Sequence, residues 1–192
     1  NGTPGIVNHD LRERVVTLLV TRANELWAAS LGSGIVRIDL RDASTFRVTR
    51  ANGLLPETLW SMYEDREGNL WFGQNGGLSR LRKGYRAFHA WTTRTNPALP
   101  DVATFAVLPL EDAIWVGTGN GLAKLTPGGT TTWRTTDGLP SNQVYRIARA
   151  ADGTIWVATS GGVSSVSPDG AVTSHGLDTT YAVLIEGAGR RG

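Results

Sequence analysis

The sequence predicts an all-β chain: a β-propeller segment of four blades with four antiparallel strands each, followed by one strand of a fifth. Three observations carry this expectation. Trp27, Trp71, Trp115 and Trp156 recur at intervals of 44, 44 and 41 residues. Each lies in the same kind of run, Leu26-Trp27-Ala28-Ala29, Leu70-Trp71-Phe72-Gly73, Ile114-Trp115-Val116-Gly117 and Ile155-Trp156-Val157-Ala158. Each is followed six or seven residues later by a glycine and an aliphatic: Gly34-Ile35, Gly77-Leu78, Gly121-Leu122 and Gly162-Val163. Self-similarity at about 40–45 residues, with strands of about five residues between closely spaced turns, fits propeller blades and leaves no room for helices.

The elements follow in order. Blade one, about residues 15–50, opens on the apolar stretch Val15 to Val20 and has Asn24 where the other hairpins place glycine. Blade two, about 58–92, is the clearest unit. Leu59 to Glu64 is a strand, Asp65-Arg66-Glu67-Gly68-Asn69 a tight hairpin, and Asn69 to Gly73 a second strand. Gln74-Asn75-Gly76-Gly77 turns the chain back into Leu78 to Leu81; Lys83-Gly84 makes the next turn, and Arg86 to Trp91 supplies the fourth strand. Alternating apolar and polar residues bounded by Gly, Asn and Asp are what strands and hairpins require. Blade three, about 102–135, opens on Phe105 to Leu108, and blade four, about 143–175, on Val144 to Ala148. Tyr181 to Glu186 then reads as the opening strand of a fifth blade. A large aromatic on each second strand suits the wide space between adjacent twisted sheets, so the recurring tryptophans are assigned to packing between blades.

Composition excludes several function classes. With 40% hydrophobic residues the 192-residue chain can bury a core, and its 24 glycines show no triplet period. Cysteine is absent, so no disulfide, thiolate metal site or thiol nucleophile exists. Net charge is +2, and the cations are arginines apart from Lys83 and Lys124. Their clusters do not alternate with aromatics as a base-stacking surface would, so nucleic acid is not the expected partner. No apolar run reaches the roughly 18 residues that span a bilayer, and no leader is read at the N-terminus; the chain is expected to behave as a mature or trimmed soluble fragment.

Catalytic and metal constellations are not read. His9, His89 and His175 fall at unrelated places in the repeat, none beside a second ligand at metal spacing. No Gly-x-Ser-x-Gly elbow occurs, and Ser33 between Gly32 and Gly34 reads as a turn residue. Glu64/Asp65 and Glu111/Asp112 sit at hairpins, where carboxylates are ordinary. Gly117-Thr118-Gly119-Asn120-Gly121 is glycine-rich but leads into a strand, not the helix a phosphate loop needs. Neither a catalytic residue, a metal nor a cofactor is assigned.

The repeat resembles that of the two-component regulator propeller family. Asp137-Gly138-Leu139-Pro140-Ser141-Asn142-Gln143-Val144 leads through Asp152-Gly153-Thr154-Ile155-Trp156 to Gly161-Gly162-Val163. Asn52-Gly53-Leu54-Leu55-Pro56 leads likewise through Asp65 to Gly73 and Gly76-Gly77-Leu78. The third unit departs, with Asn96-Pro97-Ala98-Leu99-Pro100 in place of the Gly-Leu-Pro turn. The resemblance implies a seven-bladed ring of which these blades are a part, the alternative being a closed four-bladed ring. It further implies the periplasmic or extracytoplasmic input region of a bacterial sensor kinase, touching the membrane only through parts outside this sequence, with oligosaccharides as the ligand class. A protein-interaction scaffold is the second reading. A propeller lyase, using His9 or His175 in the channel, is the third. An open arc of blades would expose strand edges and favour self-association.

Propeller topology brings the connection between blades and the turn between second and third strands to one rim. Pro56-Glu57, Asn96-Pro97 and Asn142-Gln143 are expected there with Gln74-Asn75, Asn120 and Ser160. Amides donate and accept, as sugar hydroxyls demand. Trp60 and Tyr145, at equivalent positions opening inner strands, offer flat apolar faces. The candidate ligand-binding residues are therefore Trp60, Tyr145, Gln74, Asn75, Asn120, Asn142 and Gln143.

Overall fold

The structure is a computed structural model that describes residues 14–30, 34–48, 52–55, 58–84 and 88–176. It contains four sheets, each a simple antiparallel meander of four strands. Blade one comprises β1 (Val15–Val20), β2 (Glu25–Ser30), β3 (Gly34–Asp39) and β4 (Thr45–Val48). Blade two comprises β5 (Leu59–Glu64), β6 (Leu70–Gln74), β7 (Gly77–Leu81) and β8 (Phe88–Trp91). Blade three comprises β9 (Thr104–Pro109), β10 (Ile114–Thr118), β11 (Gly121–Thr126) and β12 (Gly129–Trp133). Blade four comprises β13 (Val144–Arg149), β14 (Ile155–Thr159), β15 (Gly162–Val166) and β16 (Val172–Ser174). The expectation of no helix needs one small correction, a 3-10 turn at Thr135–Asp137 closed by Gly138 in a left-handed conformation. The strand expected at Tyr181 to Glu186 lies outside the described residues.

The first strands β1, β5, β9 and β13 pack successively against one another and form the inner edge of the arc. Side chains alternate along every strand, so each blade presents one face backward and one forward. Trp27 and Ile35 of blade one meet Leu59, Leu70 and Phe72 of blade two. Trp71, Leu78 and Trp91 meet Val107, Val116 and Leu125 in the same way, and Trp115 and Leu122 meet Ile155, Val157 and Val166. Among the described residues the core is thus three separate apolar layers between blades; Trp27, Trp71 and Trp115 fill them as expected, whereas Trp156 belongs to none of them. Each layer is sealed by a leucine from the connection between blades, Leu54, Leu99 or Leu139, all buried. The leucine of the Gly-Leu-Pro turn has this packing role, which also explains why the divergent connection into blade three keeps Leu99-Pro100.

The β5–β6 hairpin shows why Asp and Gly stand where they do. Gly68 takes a φ of 83°, and Asn24 fills the same place in blade one at 61°, a left-handed value asparagine tolerates better than other side chains. The Asp65 carboxylate accepts hydrogen bonds from the Asn69 backbone N–H (2.7 Å), Asn69 Nδ2 (2.8 Å) and Trp71 Nε1 (2.8 Å). Burial alone would raise its pKa, but these donors outweigh it and hold the carboxyl below its usual value. A folded-state value below the unfolded one of about 3.9 means full stabilisation above that pH, lost as pH falls through the folded value. Asp65→Asn should therefore cost about 1–3 kcal/mol at neutral pH. The gap from wild type should narrow towards pH 3 in urea unfolding; a gap independent of pH would remove the charge of Asp65 from the explanation.

Candidate functional site

Every inner strand begins with the same irregularity. The β5–β6 register shifts between Leu59 and Ser61, and β13–β14 shifts between Val144 and Arg146. β9 pairs Thr104 and Ala106 with consecutive residues of β10, and β1 shifts between Val15 and Thr17. One residue per blade is therefore bulged out of the ladder: Val16, Trp60, Phe105 and Tyr145. A bulge releases a side chain from the alternation and re-aims it, a device common beside functional sites. In three successive blades that side chain is aromatic.

The three rings form one continuous arc. Trp60 meets Phe105 edge-on at 5.9 Å between centroids, and Phe105 meets Tyr145 at 5.3 Å, tilted by 56°. Trp60 is 39% exposed, while Phe105 and Tyr145 are half-buried. The polar tips at the ends of the arc are oriented by neighbouring amides. Trp60 Nε1 donates to Asn75 Oδ1 at 2.9 Å, and the Tyr145 hydroxyl donates to Gln143 Oε1 at 3.0 Å. Both partners keep amide N–H groups that can donate to a ligand.

Second turns and connections between blades meet at one rim, but not all the residues expected there are on it: Pro56 and Glu57 lie outside the described residues, and Pro97 instead lines a cleft with Asp65, Trp91 and Glu111 at the opposite end. The Asn75 N–H donates to Thr58 O, Gly119 N to Ala103 O and Ser160 N to Gln143 O, joining each second turn to a connection between blades. The other candidates fare differently. Asn120 Nδ2 donates to Pro100 O at 3.4 Å, and Asn142 Oδ1 accepts from the Thr135 N–H at 2.9 Å, so both brace the connections behind the arc. Gln74 is a correction. It is fully buried, and its Nε2 donates to Ser79 Oγ at 2.9 Å. As the last residue of β6 it keeps the strand alternation and shares the backward side of blade two with Phe72, so it never reaches the rim. Phe105 was missed because Thr104, not Phe105, opens β9; its signal was the aromatic one place into the strand, as in Trp60 and Tyr145.

Of the histidines read as lyase candidates, His9 lies outside the described residues. His175 follows the outermost strand of blade four, 2.8 Å from Ser165 Oγ and stacked on Trp156 at 4.6 Å. It is not on the inner edge where a channel residue must be. Among the described residues no group of three or more His, Cys, Asp or Glu side chains is placed to hold a metal ion. No helix among them is long and apolar enough to cross a membrane. A cleft of about 950 Å³ opens at the opposite end of blades two and three, where Arg80 lines it. That guanidinium lies over the Trp71 and Trp91 rings, at 5.2 and 5.5 Å, and serves the packing there.

The chain matches the two-component regulator propeller family over residues 53–76 and 138–161. No curated protein matches it. Among solved structures it is similar to the extracellular domain of the putative hybrid two component system BT3049 from B. thetaiotaomicron, with a TM-score of 0.74 and 18% identity over 83% of this chain and 23% of that one. The corresponding domain of BT4673 from the same organism gives 0.70 and 16% over 84% and 25%. Virginiamycin B lyase from Staphylococcus aureus gives 0.65 and 16% over 88% and 58%. The chain spans about a quarter of the first two structures, and at these identities the likeness is one of fold. Family match, repeat and four-sheet architecture agree: the chain is a β-propeller segment, two of whose repeats match the two-component regulator propeller family.

Proposed function

We propose that this segment receives a ligand for an extracytoplasmic sensor region of a two-component system, and that the arc Trp60–Phe105–Tyr145 is where the ligand rests. One observation carries the reading: the same bulge, in three successive blades, turns an aromatic side chain out of the sheet, and the three meet. Core packing does not require this, because the layers between blades are already filled by other residues. A neutral oligosaccharide is the ligand class that fits. Its ring faces are apolar, its edges carry hydroxyls, and the arc pairs aromatic surface with the amides of Asn75 and Gln143. The two extracellular domains of putative hybrid two component systems that share the fold support the extracytoplasmic placement.

Titration with neutral oligosaccharides should change the tryptophan fluorescence of the wild type. Trp60→Ala and Tyr145→Phe separate stacking from hydroxyl contact. The first should weaken binding by about ten-fold or more and the second by a few-fold, as one stacking face or one hydrogen bond is removed. Equal affinity in all three proteins would exclude the arc. Saturable binding of a protein but of no sugar would favour an interaction scaffold instead.

A further inference from the structure

At the end opposite the rim, blades two and three part around the cleft of about 950 Å³, a size suited to a small molecule. Each of these blades packs against a neighbour on both sides, so the cleft belongs to the interior of the arc. Apolar walls come from Tyr63, Trp71 and Trp91 of blade two and from Leu108, Ile114 and Leu125 of blade three. Pro97 adds a wall from the connection into blade three, which Thr130 Oγ1 ties to β12 by donating to Ala98 O at 2.8 Å. That connection is longer than its counterparts: Leu99 lies eight residues beyond Trp91, whereas Leu54 and Leu139 lie six beyond Val48 and Trp133. The added length carries the chain to the cleft before Leu99 enters its layer.

Arg80 lines this cleft and forms no ion pair among the described residues. It lies opposite Trp71 across β6 and β7, as Arg37 lies opposite Trp27 in blade one. Arg37 Nη1 meets Glu25 Oε1 at 3.4 Å. In blade two Asn69 stands where Glu25 does, and its amide is taken by Asp65 and by the Lys83 backbone N–H. The Asp65 carboxylate acts on Arg80, yet both its oxygens already accept from Asn69 and Trp71. Burial first, and the nearby Arg82 second, outweigh it and hold the guanidinium below its ordinary pKa. Stacking on Trp71 and Trp91 engages the face of a guanidinium and leaves its edge, where the N–H groups point, for an acceptor. Of the other lining cations, Arg66 is bridged to Glu111 at 3.4 Å and Arg149 is exposed on blade four. The two hairpins at the mouth also bring Glu67 and Asp112, neither in an ion pair among the described residues.

We propose that this cleft binds a short apolar peptide with free termini. Its C-terminal carboxylate meets the edge of the Arg80 guanidinium, its side chains lie on the aromatic and aliphatic walls, and Glu67 and Asp112 hold its ammonium at the mouth. Charge selects this class. A purely anionic ligand would have to pass the carboxylates at the mouth, and a purely cationic one would leave Arg80 without a counter-charge. A ligand charged at both ends satisfies both, and the apolar walls suit what lies between.

Calorimetric titration of the full chain with leucyl-phenylalanine, its C-terminal amide and its N-acetyl form tests this. The free dipeptide should bind saturably. The amide should bind about ten-fold more weakly or worse, since the charge-assisted bonds to Arg80 are lost, and N-acetylation should weaken binding by a few-fold. Arg80→Gln should bring the free dipeptide and its amide to similar, weak affinities, with circular dichroism checking that the blades remain folded. Glu67→Gln with Asp112→Asn, on hairpin turns outside the core, should weaken the free dipeptide but not its N-acetyl form. Neutral oligosaccharide should leave the dipeptide in place, because the arc lies at the rim. No binding of the free dipeptide would overturn the proposal, as would equal affinity for its amide. A preference for the carboxylate that persists in folded Arg80→Gln, no effect of the double substitution at the mouth, or displacement by neutral oligosaccharide would overturn it equally.

Discussion

Trp71→Ala should lower the unfolding free energy by about 3–5 kcal/mol, the usual cost of deleting a buried indole from a core. The ring is 2% exposed, stacked on Trp91 at 5.5 Å, covered by the Arg80 guanidinium and tied through Nε1 to Asp65. Its loss opens a cavity between blades two and three, and it strands the Asp65 carboxylate and the Arg80 cation without a partner they now share. Typical domains are stable by about 5–15 kcal/mol, so the variant should sit close to unfolding at room temperature. The internal control is Trp156→Ala, at the same place in the repeat but half-buried, which should cost clearly less. Urea unfolding of the two variants measures the difference. Equal losses would contradict the assignment of the tryptophans to layers between blades.

Gly77→Ala should be almost as damaging, at about 3 kcal/mol or more. Gly77 begins β7 at a φ of 137°, and a Cβ built there overlaps the carbonyl oxygen of Trp91 on the neighbouring strand. Neither party can yield, because both are backbone in one ladder. Gly84 isolates the steric part. Its φ of 77° also disfavours a side chain, but nothing lies within 4 Å of a Cβ there. Gly84→Ala should cost only about 1–2 kcal/mol, the price of the left-handed conformation alone. If both substitutions proved equally mild in thermal unfolding, the tight approach of β8 to the β6–β7 turn would be refuted.

Much of the fold was legible because its signals are local. The hairpin at Asp65 to Asn69 needs an acceptor, a left-handed residue and a strand on either side, and all stand within five residues of sequence. The pairing of Trp27, Trp71 and Trp115 with layers between blades could be read from their period, since a repeat that stacks on its neighbour must present a large apolar group at a fixed place. The candidate site was only half legible. Trp60 and Tyr145 were read from their place in the inner strands, and Asn75 and Gln143 from turn chemistry. Gln74 was misplaced because an amide next to a turn and an amide ending a strand look alike in sequence. Strand alternation, which depends on where β6 stops, turned it inward onto Ser79. Phe105 was passed over for the complementary reason: a bulge is a mismatch between two strands, and neither strand announces it alone.

The sequence by itself determined that this chain is all-β, that its unit is a four-stranded blade, and that the unit resembles the two-component regulator propeller repeat. Those properties rest on period and turn residues, which are short-range. Tertiary structure decided which side chains leave the ladder at the inner edge and that three aromatic rings meet there. Those depend on the register between strands and the stacking of whole blades, which are set by contacts between residues about forty positions or more apart and are written in no single stretch of the chain.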